Sequence, residues 1–343
     1  MSAAPPCAPG RFLELDVFRG LAALAVVLFH YTVRFEQLHG LEGTPPAFLH
    51  FGKYGVHFFF LISGFVIFWS LTRTARWRSF LLSRLSRIYP AYWVAATLTF
   101  GTVALFGLPG REVGVGTYLA NLTMVQKFAG IPYVDGAYWT LTVELVFYFW
   151  ISLIHFAGQL RRAELWFLPP MLLGALVNLG VVVLPVGALK FLLVEYANLF
   201  AAGIVLFRLY EGTDAGTARW FLPLSLAFNF IAYPWPDASL MAVFLLLMLL
   251  AVQGHLRRLC VAPLLWLGGI SYSLYLVHQN IGYVVIREVR AAGGSDLLGL
   301  ACALLVALTL ADLLSRMVER PAAREIRRLF GVGRARERLG ATT

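Results

Sequence analysis

Apolar residues in this chain come in long runs rather than in the short alternations or half-apolar stripes of a water-soluble fold, as in Leu240 to Val252 and Leu297 to Leu310. Stretches of about 17 to 25 mainly apolar residues are long enough to cross the ~30 Å hydrocarbon core as helices. Ten of them, bounded by Arg, Pro and Gly clusters, lie near 15–35, 54–72, 88–107, 137–157, 165–186, 191–208, 219–234, 239–254, 263–286 and 296–316. The pattern predicts an all-α, polytopic membrane bundle of about ten transmembrane helices. No small-residue cleavage site follows the first run, so it reads as a retained helix rather than a signal peptide. Residues 114–130 are interrupted by Gly and polar positions and read as part of an outer, re-entrant loop. The membrane-embedded domain is expected to cover 1–321, followed by a basic cytoplasmic tail, 322–343, lying on membrane lipids.

Composition sharpens this picture. Of the 343 residues, 59% are hydrophobic and 13% charged, which excludes a soluble globule, and the net charge of +10 belongs to membrane topology rather than to nucleic-acid binding. With a cytoplasmic N-terminus, 21 of the 28 basic residues fall on inner segments, including Arg11, five from Arg73 to Arg87 and eight from Arg316 to Arg338. Seven fall outside, so the positive-inside rule supports cytoplasmic termini. Making 114–130 a crossing would reverse everything downstream. Cys7, Cys260 and Cys302 form no even framework and no metal-ligand spacing, so neither disulfides nor a metal site is expected.

Ionisable groups inside spans cost at least ~2.5–3.5 kcal/mol each at the helix centre, which makes them the place to look for chemistry. Arg19 and His30 are eleven residues apart on the first span, close to three turns with a rise of ~16 Å. That spacing suits a ligand with a phosphate held inside and a reacting end deeper in the membrane; an interfacial Arg plus a hydrogen-bonded His explains it equally well. The second span opens GVHFFFLISGF, with His57 near its outer end and the small pair Ser63–Gly64 further in. The segment RTARWRSFLLSRLSR, read as an inner loop, carries Trp77 and the pair Arg84 and Arg87, a spacing that lets both face one ligand. Glu144 stands alone among aromatics in WTLTVELVFYF and needs a cationic partner from another helix, for which His30 is the candidate. ISYSLYLVH places Tyr275 and His278 on one face, as acceptor contacts or a structural ladder, and Trp139 with Tyr133 and Tyr138 offers rings on the outer side.

These segments, with a closing Glu319-Arg320-Pro321, occur in an order that resembles the acyltransferase-3 family, the integral-membrane O-acyltransferases of bacterial cell-surface sugars. The resemblance covers about 11 to 321. His57 departs from it, since many relatives carry an acidic or amide residue there. The chain is also expected to lack the C-terminal hydrolase-like domain of some relatives.

The resemblance implies transfer of an acyl group, usually acetyl, from cytoplasmic acyl-coenzyme A (acetyl-CoA) to a hydroxyl of a glycan or glycoside in the bacterial inner membrane, with no permanently bound cofactor. His30 and Glu144 would be catalytic. Arg19, Arg84, Arg87, Ser63 and Gly64 would hold the donor, and His57, Trp139, Tyr275 and His278 would support the acceptor side. Direct transfer is preferred to an acyl-enzyme on a side chain such as Ser63. A transporter or flippase without chemistry is the other reading open to so many intramembrane ionisable groups. The oligomeric state, a homodimer included, stays open.

Overall fold

The computed structural model describes residues 12–41, 43–74, 76–213 and 215–330; Cys7, Arg11 and the basic tail beyond residue 330 lie outside the described residues. Among the described residues there is no strand. The principal helices are α1 (Leu13–Phe29), α2 (Gly55–Thr72), α3 (Trp77–Phe106), α4 (Trp139–Phe156), α5 (Leu168–Asn178) and α6 (Ala197–Glu211). They are followed by α7 (Ala215–Ala232), α8 (Trp235–Val252), α9 (Ala262–Val277), α10 (Gln279–Ala291), α11 (Asp296–Leu314) and α12 (Arg320–Leu329). Five stretches are long and apolar enough to cross a membrane: Ala47–Thr72, Trp77–Phe106, Gly136–Phe156, Trp235–Val252 and Asp296–Leu329.

Four expected spans differ from the structure for identifiable reasons. The arginine-rich segment before residue 88 is not a loop beyond Arg76: it contains neither Gly nor Pro, and α3 begins at Trp77. The span 165–186 is interrupted, because a 3-10 turn over Leu160–Phe167 precedes Pro169 and Pro170 at the start of α5, and Gly180 at φ 73° ends the turn after it. The span 191–208 begins only at Ala197, after Leu193 adopts φ 56°. The span 263–286 breaks at His278 into α9 and α10.

The chain divides into two compact units: Met1–Val26 with Ala47–Thr72 and Thr140–Gly269, and Val27–Pro46 with Arg73–Trp139 and Ile270–Thr343. In the first, α6 is the core helix, buried without interruption from Ala197 to Arg208. It crosses α2 at a pair of glycines. A Cβ on Gly64 would be driven into the Phe200 carbonyl, and one on Gly203 into that of Leu61, so the two backbones touch where small residues allow it. Arg208 ends the core by pairing with Glu164, Nη2 to Oε2 at 3.0 Å, while also donating to the Leu160 carbonyl at 2.7 Å. This neutralises two buried charges together and pins the 3-10 turn.

In the second unit α10 packs along α11, and α12 along α3. Within 114–130 the only helix longer than one turn is Val115–Asn121, whose rise of ~10 Å cannot cross a bilayer. It is held against α3 by hydroxyl and indole donors, Tyr92 to the Asn121 carbonyl at 2.7 Å and Trp93 to that of Leu122 at 2.9 Å. The buried Asn121 side chain then closes the loop by donating to the Thr117 and Pro132 carbonyls and accepting from Gln126 and the Val134 N–H.

The same loop stabilises the break at His278. In a continuous helix the Asn280 N–H would donate to the Leu276 carbonyl. Here the N–H donates to Asp135 Oδ2 at 3.0 Å, and the Leu276 carbonyl accepts from the Tyr138 hydroxyl at 3.0 Å. The other Asp135 oxygen accepts from the Ala137 N–H at 2.9 Å. Burial nonetheless pushes the Asp135 carboxyl up to about 6 against the pull of these two N–H donors.

Two stability predictions follow from this packing. Gly64→Ala forces α2 from α6 and should cost about 1–3 kcal/mol by overpacking, whereas Gly101→Ala in α3, where a Cβ meets nothing within 4 Å, should be neutral or stabilising; thermal unfolding in detergent compares them. Asp135→Asn sets an NH2 against a backbone N–H and should cost about 1–3 kcal/mol. Because the folded pKa lies above the ordinary value, the native state holds its proton longer than the unfolded chain. Wild-type stability should therefore fall as pH rises from about 4 through about 6, and the Asn variant should lose that slope.

Candidate active site

His30 stands where α1 changes register. It opens a π turn over His30–Arg34, in which the Phe35 N–H reaches back to the His30 carbonyl, before a last α-helical turn over Phe35–His39. Such one-residue insertions are rare and concentrate at functional sites. The inserted residue carries Tyr31 onto α10, where its ring lies against Gly282, a position with no room for a Cβ, and its hydroxyl donates to the His278 carbonyl at 2.8 Å.

His278, fully buried at the break, faces His30 from the second helix pair: its Nε2 is 3.2 Å from His30 Nδ1, with the rings edge to face and centroids 4.9 Å apart. The proton positions in this pair follow from its third member. His278 Nδ1 is 2.8 Å from the Tyr275 carbonyl. A carbonyl only accepts, so Nδ1 carries the proton and Nε2 presents a lone pair. His30 Nδ1 must then donate to it, which makes Nε2 the basic nitrogen of His30. Proton uptake there creates an imidazolium whose Nδ1–H is already held by a neutral acceptor. Tyr275, besides supplying that carbonyl, donates its hydroxyl to Ala137 at 2.8 Å and so ties the pair to the segment entering α4.

The structure thus brings His30, His278 and Tyr275 together in one compact unit, which also contains Trp139, Arg84 and Arg87. Arg84 lies over the Phe80 ring at 5.8 Å. Arg87 meets Arg327 of α12, so the described start of the basic tail adds a like charge to the arginine pair of α3. Arg19, His57, Ser63, Gly64 and Glu144 belong to the other unit. There Glu144 accepts from the Tyr148 hydroxyl one turn along α4 at 2.7 Å. His57 is enclosed by the rings of Tyr54, Tyr196 and Tyr233 at 5.0, 5.6 and 5.6 Å. Gly64 is occupied by the helix crossing.

Sequence reasoning passed over Tyr31, Asp135 and Asn280, which with Tyr138 hold the break, and Arg327. For Asp135 a signal existed: Asp-Gly just before a helix is an N-terminal capping and turn signature. The π turn left no comparable trace.

The family model described as an acyltransferase domain matches residues 12–316. The chain is similar to Acyltransferase MdmB of Streptomyces mycarofaciens, 26% identical with 92% of this chain and 93% of that protein covered. It is similar also to the Exopolysaccharide production protein ExoZ of Rhizobium meliloti (strain 1021), 29% identical with 83% of this chain and 94% of that protein covered. A putative acetyltransferase of Acidianus two-tailed virus is 24% identical, with 83% of this chain and 86% of that protein covered. No solved structure matches the chain. Matched along nearly its whole length by an acyltransferase domain and similar to proteins named as acyltransferases, the chain is an enzyme and not a transporter without chemistry: it belongs to the acyltransferase-3 family.

Proposed function

We propose that this acyltransferase takes an acetyl group from cytoplasmic acyl-coenzyme A and places it on a hydroxyl of a sugar-containing acceptor presented at the outer side of a bacterial inner membrane. Ten crossings with both termini cytoplasmic fit the distribution of basic residues, 21 against seven. The observation that carries the chemistry is the ordered chain from the Tyr275 carbonyl through His278 to His30. ExoZ, named for exopolysaccharide production, supports a glycan acceptor.

In this reading His30 Nε2 removes the proton of the acceptor hydroxyl as its oxygen attacks the thioester carbonyl. The C–S bond then breaks, the ester C–O bond remains, and the coenzyme A thiolate takes the proton back from His30. Glu144 stabilises the imidazolium, as a carboxylate does for a base that becomes charged. His278 acts through His30, fixing its tautomer and orientation. Direct transfer is preferred to an acyl-enzyme on Ser63, because His30 already has the base geometry that direct attack requires. Arg19, Arg84, Arg87 and Arg327 bind the donor phosphates, to which guanidinium groups bond in pairs, and Trp77 stacks on the adenine.

His30→Ala should reduce transfer of radiolabelled acetyl from acetyl-CoA by at least about 10²-fold, the usual scale of general-base catalysis, while the chain remains folded and inserted. Near-normal activity would eliminate His30 as the base. His278→Ala should lower kcat more than KM and shift the pH profile of transfer, and His278→Gln, which keeps an acceptor oxygen, should restore part of the loss. Arg84→Ala with Arg87→Ala should raise the KM for acetyl-CoA by about tenfold or more, as expected for lost charge-assisted contacts; an unchanged KM assigns the pair to topology alone.

A further inference from the structure

Against the general bias of basic residues toward one side, a second basic group lies at the opposite end of α3 from Arg87. Arg287 of α10 donates to the Gly107 carbonyl at 2.9 Å, where α3 ends. Twenty residues separate Arg87 from Gly107, a rise of ~30 Å and thus about the hydrocarbon thickness. Arg111 reaches the same region. A Cβ on Gly136 would meet its Nη1 at 3.2 Å and the Gln279 amide nitrogen at 2.8 Å, so the two side chains converge over a position that has none.

Some of the charge at this end is structural. Arg290 pairs with Asp296, and its Nη2 donates to the Gly40 carbonyl at 2.7 Å. Arg287 uses one of its five N–H groups on Gly107 and thereby caps the carbonyl end of α3. Neither Arg111 nor Arg287 pairs with an acid among the described residues. Asp135, whose charge reaches Arg111, has both oxygens engaged by backbone N–H groups.

Beside these cations, along the face that α10 shares with Phe35–His39, lie two polar atoms with no protein partner, Gln279 Oε1 and Asn280 Oδ1, and the Tyr283 hydroxyl, which the Gln279 side chain approaches. All three residues are deeply buried, at 3%, 0% and 0% exposure. His39 Nε2 likewise has no partner, its ring edge-on to that of Tyr283 with centroids 5.9 Å apart. Buried acceptors without donors cost about 1–3 kcal/mol each, and native chains retain them where something else binds. Sugar hydroxyls are donors of the kind that Gln279 and Asn280 need, and an anion is what Arg111 and Arg287 need.

We propose that this face is the acceptor subsite and that the acceptor is an acidic glycan, carrying a carboxylate or phosphate on a sugar next to the one that is acylated. The proposal rests on the acyl-transfer reading. Gln279 follows His278, whose ring holds that of the candidate base His30, so this face begins beside the imidazole pair. Arg287 stands eight residues beyond Gln279 along α10, a rise of ~12 Å, which is beyond the reach of a single sugar ring and places the anion on its neighbour.

The test is binding, read without acyl donor. Fluorescently labelled tri-galacturonate, maltotriose 6-phosphate and neutral maltotriose are titrated by anisotropy into the purified full chain in detergent. At least one acidic probe should bind about tenfold or more tightly than maltotriose, with a preference that shrinks as salt is raised. Arg111→Gln, which breaks no bond within the protein, and the double variant with Arg287→Gln should carry the acidic-to-neutral ratio toward one. Tyr283→Phe should weaken all three probes alike, and Arg161→Gln, an exposed arginine of the other compact unit, should change nothing. Preference for tri-galacturonate assigns a carboxylate and preference for the phosphate assigns a phosphate, either of which upholds the subsite. Equal affinity for neutral and acidic probes, or a ratio indifferent to Arg111→Gln, overturns it. Intact binding of an acidic probe by a chain that never transfers acetyl would remove the acyl-transfer reading and leave the anion site in place.

Discussion

Backbone in hydrocarbon has to satisfy its own N–H and C=O groups, at several kcal/mol for each one left over, and that requirement governs where this chain can depart from a helix. The break at His278 is supported by partners for groups that it frees. Asp135 accepts the Asn280 N–H and Tyr138 donates to the Leu276 carbonyl, while Tyr31 adds a bond to the His278 carbonyl, which also accepts from the Gly282 N–H. With those three in place an imidazole can occupy the bend and project from it, instead of lying in the continuous row of a helix face. The position of the candidate base depends on the same bonds, since Tyr31 follows His30 and reaches the break only through the register shift of the π turn. Loop, break and base therefore form one mechanical assembly, and a change in the loop at Asp135 is felt at His30 without touching it.

The first compact unit meets the low dielectric differently. A deeply buried ion pair there, Arg208 with Glu164, sits where the charges cancel and the guanidinium also serves a backbone carbonyl. Such a pair contributes little net stability, because desolvation offsets the attraction, but loss of either partner leaves an uncompensated charge. The glycines of α2 and α6 do the complementary work of bringing two backbones close enough for dispersion to hold helices that water does not drive together. Glu144 differs from both. It is half-buried, with a single tyrosine hydroxyl of its own helix as partner, and so remains available to a cation.

Much of this architecture was legible in the apolar pattern. Helix content and the failure of 114–130 to make a crossing follow from run length, Gly content and charge asymmetry. What escaped was structure created by partners distant in sequence. Nothing local to ISYSLYLVHQN announces a break, because it contains neither Gly nor Pro and the competing bonds come from Asp135 and Tyr138, roughly 140 positions earlier. Likewise the arginines before residue 88 read as a loop because charge suggests solvent, although helix propensity in Trp77–Ile88 was continuous. The candidate base was found by its cost in a membrane. The reading that paired it in advance with Glu144 missed His278, since a buried imidazole meets its requirements as readily through another imidazole as through a carboxylate.

That substitution of partners has a chemical consequence. A carboxylate against His30 Nδ1 would add a fixed negative charge beside a reaction whose donor carries phosphates and whose tetrahedral intermediate is an oxyanion. A neutral imidazole accepts the same hydrogen bond without that charge, and its own Nδ1–H is anchored by a carbonyl that cannot take the proton away. Orientation is thus separated from charge compensation: the former comes from His278, within the unit that contains the break, and the latter is the part assigned to Glu144 in the proposed reaction.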